Sequence, residues 1–120
     1  MSKRILIADD EENIRTLYKI ELEEAGYIVD LATNGKEAVE KAKENLPDLI
    51  ILDIKMPIMD GIEALHIIRQ LPNGKNVPII LFTAYGEYQQ DFTTWASDAY
   101  IIKSHDMTEL KKTIEELLNK

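Results

Sequence analysis

The chain has no cysteine among its 120 residues, which excludes disulfides, thiolate nucleophiles and zinc–thiolate sites. Histidine occurs only twice, so few nitrogen ligands are available for a metal. No apolar run is long enough for a membrane span, and the amino-terminal stretch MSKRILIADD does not have the pattern of a signal peptide. We therefore expect a single globular domain in the cytoplasm.

Basic residues are also few. The sequence has 14 Lys and Arg against 22 Asp and Glu, a formal net charge of −8. Such a charge argues against direct binding to the phosphates of a nucleic acid. We expect neither nucleic acid nor a membrane as a direct partner, whereas an excess of acidic groups suits a site that collects cations.

Strand and helix patterns alternate along the chain. Strands are predicted over residues 3–8, 27–32, 49–53, 77–82 and 99–102, and helices over residues 12–26, 36–45, 61–71 and 106–118. The aromatic stretch 85–95 is weakly patterned and predicts a short or irregular helix. This order predicts an α/β fold, a doubly wound five-stranded parallel sheet with helices on both faces.

The first predicted helix shows one apolar stripe at helical spacing. We expect its inward face to contain Ile14, Leu17, Tyr18, Leu22 and Ala25. Gly26 is placed to end this helix.

Charged and hydroxyl side chains follow the predicted strands. Asp9 and Asp10 follow the first strand, Asp53 ends the third, Thr83 follows the fourth and Lys103 follows the fifth. In doubly wound sheets ligands lie beyond the carboxyl ends of the strands. Two carboxylates about 4 Å apart repel by roughly 4 kcal/mol at an effective dielectric near 20, so such a cluster needs a cation or a proton. Oxygen ligands favour Mg²⁺, with Mn²⁺ as a substitute.

The same side chains suit a phosphoryl group. Mg²⁺ is commonly held by one or two carboxylates together with a phosphate, while Lys103 offers a point charge and Thr83 a hydroxyl donor. An aspartate in such a site can act as a nucleophile and form an acyl phosphate. Each residue alone has a plainer explanation, such as a helix cap or a solvated charge. Their joint occurrence at four strand ends favours Asp53 as a phosphoacceptor.

Five motifs carry a family resemblance: ILIADDEENIR, GYIVDLATNGKEAVE, PDLIILDIKMPIMDGIEAL, PIILFTAYG and DAYIIKS. In this order and spacing the chain resembles the receiver domain of two-component response regulators over essentially its whole length. The resemblance implies one receiver domain over residues 1–120 with a flavodoxin-like (βα)5 fold and strand order 2-1-3-4-5. Because the chain ends at Lys120, we expect a stand-alone receiver without an output domain, while a piece of a longer transcription factor stays open.

The resemblance also implies a phosphotransfer function. Asp53 would accept the phosphoryl group from a phosphohistidine on a sensor histidine kinase or a phosphotransfer protein. Mg²⁺ would be bound by Asp10, Asp53 and the backbone carbonyl of Lys55, with Asp9 acting mainly through water. The protein would not be an enzyme in the usual sense, with intrinsic autodephosphorylation left open.

Three further residues are implied in the response to phosphorylation. Lys103 would pair with the phosphoryl group, and Thr83 would move to hydrogen-bond one of its oxygens. Tyr100 would follow Thr83 by swinging from an exposed to a buried position, which would change a protein-interaction surface for a downstream target that the sequence does not identify.

A docking patch for the kinase is a further prediction. Its residues are Ile14, at the start of the first helix, and Met56, Pro57 and Ile58, in the loop after Asp53. The alternative is that the loop side chains simply pack inward. Lys55 and Tyr85 are predicted to flank the path of the water that hydrolyses the acyl phosphate.

The sequence departs from the family pattern at two places. Ser104 stands where receivers usually have a proline with a cis peptide bond. We expect a trans bond here in the resting state because a non-proline cis bond costs about 2.5–4 kcal/mol, with a strained cis bond as the open alternative. The segment before Tyr100 is short and aromatic. Trp95 in this segment is interpreted as a core anchor, with a binding platform as the open alternative. His66 and His105 are expected at the surface without a role.

Two other classes of protein compete with a receiver. A Mg²⁺-dependent phosphohydrolase with an aspartyl nucleophile generally has a second Asp two residues later, where this chain has Lys55. A degenerate receiver that only binds partners is disfavoured by the intact set of Asp9, Asp10, Asp53, Thr83 and Lys103.

Overall fold

The structure is a computed structural model that describes residues 2–84, 86–104 and 106–119. The strands are β1 (Arg4–Ala8), β2 (Ile28–Ala32), β3 (Leu49–Leu52), β4 (Ile79–Thr83) and β5 (Ala99–Ile102). The α-helices of the described part are α1 (Glu12–Glu24), α2 (Gly35–Glu44), α3 (Gly61–Arg69) and α4 (Thr108–Leu118). All strand pairs are parallel, and the sheet order β2-β1-β3-β4-β5 confirms the expected topology.

Helices cover both faces of the sheet. The central strands β1, β3 and β4 are buried almost throughout because neither face meets water. On one face they pack against α2 and α3 through Ala38, Val39, Leu65 and Ile68. On the other face they pack against α1 and α4 through Tyr18, Leu22, Leu110 and Ile114. The expected doubly wound arrangement is therefore confirmed.

The inward stripe of α1 is narrower than predicted. Tyr18 and Leu22 are buried, but Leu17 is 48% exposed and Ala25 is also exposed, so the prediction was wrong for these two. Leu17 precedes Tyr18 by about 100° around the helix and therefore turns away from the sheet. Gly26 ends the helix as expected, because its φ of +100° lets its N–H and that of Tyr27 bond to carbonyls of the last turn.

The stretch predicted as a short or irregular helix forms two 3₁₀ helices, Glu87–Gln90 and Phe92–Thr94. Trp95 is 70% exposed and Phe92 is 73% exposed, so the interpretation of Trp95 as a core anchor was wrong. With three residues per turn, positions 92 and 95 lie on the same side. Thr94 takes the inward position instead, and its hydroxyl donates to the Asp91 carbonyl at 2.8 Å.

Arg69 forms hydrogen bonds at the amino ends of β4 and β5. Its guanidinium donates to the carboxylate of Asp98 at 2.9 Å, and the same carboxylate oxygen accepts from the N–H of Ile79 at the start of β4. It also donates to three backbone carbonyls, those of Gly74, Val77 and Ala96. These bonds fix the end of α3 to the segments that lead into β4 and β5.

His66 is exposed, as expected, and its Nε2 lies 2.7 Å from the Thr93 carbonyl. His105 lies outside the described residues. No helix within the described ranges is long and apolar enough to cross a membrane.

Candidate metal and phosphoryl site

Strand register brings the acidic residues together at the carboxyl edge of the sheet. Ala8 pairs with Leu52, so the residues that follow them, Asp9 and Asp53, lie side by side. The N–H of Asp53 extends this pairing by donating to the Ala8 carbonyl at 3.0 Å. Carboxylate oxygens of Asp9, Asp10 and Asp53 lie within 4.8 Å of one another. The sheet thus assembles the three carboxylates that the sequence singled out.

Lys103 bridges two of these carboxylates. Its Nζ lies 2.5 Å from Oδ2 of Asp9 and 3.0 Å from Oδ2 of Asp53. The backbone contributes to this placement, because the N–H of Lys103 donates to the Thr83 carbonyl at 2.8 Å. The sequence assigned Lys103 to the phosphoryl group alone and missed its pairing with the acidic residues.

Burial and neighbouring charges shift the pKa values of Asp53 and Lys103. Burial raises the pKa of Asp53 and the Asp9 carboxylate raises it further, against the opposing effect of Lys103. Burial by itself lowers the pKa of Lys103, but its bonds to Asp9 and Asp53 and their negative charges outweigh that effect and raise it overall. Lys103 is therefore held as a cation between the two carboxylates.

Asp9 and Asp10 differ in how they are held. Asp9 is 2% exposed and accepts from the Glu11 N–H through Oδ1 and from Lys103 through Oδ2. Its backbone carbonyl accepts from Nη1 of Arg15 at 2.7 Å. Asp10 is exposed and lines a cavity of about 570 Å³. Arg15 was missed by the sequence reasoning, although it follows the acidic pair on the first turns of α1.

The loop after Asp53 folds back tightly. A Cβ on Gly61 would lie 1.8 Å from the Asp53 carbonyl oxygen, so only glycine allows α3 to begin this close to the acceptor. Within the loop, Ile58 has a φ of +71°, which is uncommon for a β-branched residue. The N–H of Met59 closes a tight turn around it by donating to the Pro57 carbonyl at 2.7 Å.

The predicted docking residues surround the site but do not share one cavity. Ile14 lines a cavity of about 250 Å³ together with Tyr18, Lys103 and Ser104. Met56 and Pro57 line the 570 Å³ cavity with Asp10 and Lys55, and Met56 also packs against the core. Ile58 is 77% exposed. A kinase patch made of these residues stays a prediction.

The remaining predicted residues lie on the adjacent strands. Thr83 is fully buried at the end of β4, and Tyr100 is half-buried on β5 opposite Leu81. The swing of Tyr100 stays a prediction. The Lys103–Ser104 bond is trans as expected, since the described residues contain no cis peptide bond. Tyr85 lies outside the described residues.

The donor set fits a hard divalent cation. The three clustered side chains offer only carboxylate oxygens, and one of them, Asp10, is accessible from solvent. Mg²⁺ prefers such ligands and keeps several waters. The structure thus defines a doubly wound α/β domain with a candidate cation site at the carboxyl edge of its sheet, where ligands of such folds lie.

Comparison with known proteins gives the family. Residues 5–115 match the family described as response regulator receiver domain, and the chain belongs to this family. A similar solved structure is the response regulator protein TrrA from Thermotoga maritima in complex with Mg(2+)-BeF. It is 48% identical, with a TM-score of 0.91, and the match covers 96% of this chain and 98% of that chain.

Two further relatives are informative. TrrA in complex with the histidine kinase ThkA is 48% identical, with a TM-score of 0.89, and the match covers 97% of this chain and 98% of that chain. The transcriptional regulatory protein ResD of Bacillus subtilis is 41% identical over 120 residues, which cover 98% of this chain and 48% of ResD. The chain spans about half the length, or less, of the curated transcriptional regulators that it matches.

Proposed function

We propose that residues 1–120 form one receiver domain that accepts a phosphoryl group on Asp53 from a phosphohistidine of a sensor histidine kinase or a phosphotransfer protein. One observation carries this proposal. Asp53 directly follows β3, and its carboxylate lies 3.0 Å from the Lys103 ammonium and within 4.8 Å of the carboxylates of Asp9 and Asp10. The complex of TrrA with a histidine kinase supports the class of donor.

The transfer is a displacement at phosphorus. A carboxylate oxygen of Asp53 forms a bond to phosphorus while the phosphorus–nitrogen bond of the phosphohistidine breaks. The imidazole nitrogen leaves with the electron pair, and Asp53 becomes an acyl phosphate. Lys103 is placed to donate to a phosphoryl oxygen, since its Nζ already contacts the acceptor carboxylate. The Thr83 hydroxyl is the second proposed donor.

Asp9, Asp10 and Asp53 would hold Mg²⁺, or Mn²⁺ in its place, together with the backbone carbonyl of Lys55. The ion supplies positive charge that neutralises the carboxylates and the phosphoryl oxygens. Asp9 would mainly fix the positions of the groups around the ion, because both of its carboxylate oxygens and its backbone carbonyl are already hydrogen-bonded. Asp10 offers the accessible ligand.

Phosphorylation would act as a switch. A phosphoryl group adds negative charge and three acceptor oxygens beside Thr83 and Lys103. A move of Thr83 would open space for Tyr100, which now packs at the edge of the core. The result would be a changed surface for a downstream protein partner, without a catalytic turnover of a separate substrate. A cytoplasmic location goes with this function.

Incubation with acetyl phosphate and Mg²⁺, followed by intact-mass measurement, tests the proposal. The wild-type protein gains one labile phosphoryl group, EDTA prevents the gain, and Asp53→Asn abolishes it. Asp30→Asn is the matched control, because it removes an exposed carboxylate on β2 that is paired with Lys41. Continuous release of phosphate without a stable adduct would instead indicate a phosphohydrolase, and no reaction at all would indicate a degenerate receiver.

A further inference from the structure

Tyr18 is a core residue whose hydroxyl has no hydrogen-bond partner among the described residues. The residue is 4% exposed, and its ring packs against Phe82 with centroids 5.1 Å apart. A buried phenol usually finds a hydrogen-bond partner, yet the described residues provide none for this hydroxyl. Phenylalanine would give the same packing, so the oxygen needs another explanation.

Tyr18 lines a cavity that Lys103, the partner of the acceptor carboxylate, also lines. Every side-chain nitrogen or oxygen that is sealed from solvent within the described residues has a partner, so the unpartnered Tyr18 hydroxyl is not sealed. Tyr18 lines the 250 Å³ cavity together with Ile14, Lys103 and Ser104. The tyrosine and the lysine therefore face the same space.

Lys103 also has donor capacity left. An ammonium group has three N–H donors, and two of them bind Asp9 and Asp53. The described residues offer no hydrogen-bond acceptor to the third. The charges of Lys103, Asp9 and Asp53 all act on the Tyr18 phenol, whose pKa is raised mainly by burial. The phenol thus stays protonated at neutral pH and is a donor.

We propose that the Tyr18 hydroxyl and the third N–H of Lys103 together bind one oxygen of the phosphoryl group on Asp53, from the α1 side of the site. This inference rests on the proposed function. Two residues with unused donors that line one cavity suit an acceptor with negative charge, and hydrogen bonds to such an oxygen are stronger than neutral ones. A phosphoryl group on Asp53 lies within reach, because Lys103 is already bonded to that carboxylate.

Tyr18→Phe removes only the oxygen and tests the proposal. With saturating Mg²⁺, this variant should bind beryllofluoride, a mimic of the phosphoryl group, about tenfold more weakly than the wild type. Its affinity for Mg²⁺ alone should not change, and its melting temperature should not fall. Tyr27→Phe is the matched control, because it removes a phenol oxygen from a half-buried tyrosine outside this cavity, and it should leave beryllofluoride affinity unchanged.

A measurement on the wild-type protein is independent of variant folding. With tyrosine labelled by carbon-13 at Cζ, beryllofluoride should shift the Tyr18 resonance and leave that of Tyr27 in place. Equal beryllofluoride affinity in Tyr18→Phe and wild type, or an unmoved Tyr18 resonance in a protein that binds beryllofluoride, overturns the inference while the proposed function stands. A wild-type protein that neither binds beryllofluoride nor gains a phosphoryl group on Asp53 overturns both. If Tyr18→Phe loses affinity for beryllofluoride only when a donor protein is present, the cavity instead binds a carboxylate of that protein. That result would also overturn the inference.

Discussion

The Lys103 ammonium lies 2.5 Å from the Asp9 carboxylate and so joins the end of β5 to the end of β1 across the intervening strands. Asp9 is buried, and this bond supplies the counter-charge that a buried carboxylate requires. A lysine that serves as an internal counter-ion competes with any cation that enters the same pocket. This relationship leads to the first prediction.

Lys103→Met should bind Mg²⁺ about tenfold more tightly than the wild type, because removal of the ammonium leaves the three carboxylates less neutralised. Isothermal titration calorimetry measures the affinity. Lys103→Arg keeps the positive charge and should stay near the wild-type value. Weaker Mg²⁺ binding by Lys103→Met would show that Lys103 organises the carboxylates rather than competing with the ion.

Asp53→Asn should raise the stability of the metal-free protein. Burial raises the folded-state pKa of Asp53 above its ordinary value of 3.8. The ionised carboxylate therefore lowers the free energy of unfolding at every pH above the folded-state pKa. This cost disappears as the pH falls to the ordinary value. The variant removes this cost, and the free energy of unfolding should rise by about 1 kcal/mol near neutral pH, a few degrees in melting temperature.

Thermal unfolding in EDTA measures this effect. The difference between Asp53→Asn and wild type should shrink as the pH is lowered toward 3.8, where Asp53 takes up a proton in both folded and unfolded chains. A variant that is less stable than the wild type at neutral pH would mean that attraction to Lys103 outweighs burial.

Gly61→Ala should destabilise the fold and impair phosphorylation together. The added Cβ would lie 1.8 Å from the Asp53 carbonyl oxygen, so the acceptor or the start of α3 must move. We expect a loss of about 3 kcal/mol in the free energy of unfolding, measured by urea denaturation. Gly86→Ala is the control, since its Cβ would meet only the Ile102 Cδ1 at 3.4 Å. Normal acetyl phosphate labelling of Gly61→Ala would contradict the tight packing of Gly61 against the Asp53 backbone.

Arg69→Met should cost about 2–3 kcal/mol of stability, because it leaves the Asp98 carboxylate and three backbone carbonyls without their shared donor. Phosphorylation of Asp53 should be retained under folding conditions, since Arg69 lies at the opposite edge of the sheet. Lys41→Met is the matched control: it removes a more exposed ion pair with Asp30 and should cost less than about 1 kcal/mol. Equal losses in the two variants would argue against a structural role for the Arg69 network.

The order of elements and the strand ends could be predicted from sequence. The apolar runs before Asp53 and Thr83 are short and continuous, which is typical of buried parallel strands, and parallel topology then brings their ends to one edge. The bond between Lys103 and Asp9 could not be predicted in this way. It joins residues 94 positions apart, and its geometry depends on how deeply both side chains are buried.

Local packing explains the wrong predictions for Leu17 and Trp95 and the unforeseen backbone conformation of Ile58. Leu17 has the spacing of an inward residue but lies just outside the stripe that meets the sheet, and periodicity does not resolve a difference of one position. Trp95 was expected in the core, yet the 3₁₀ geometry turns it outward. Ile58 has a positive φ that no residue preference would suggest.

Mapping of the phosphorylated residue tests the central claim most directly. After reaction with acetyl phosphate and Mg²⁺, borohydride reduces an aspartyl phosphate to homoserine, and tandem mass spectrometry locates that residue in the chain. We predict homoserine at position 53 and at no other aspartate. Homoserine at position 9 or 10, or a labelled protein with an unchanged Asp53, would contradict it.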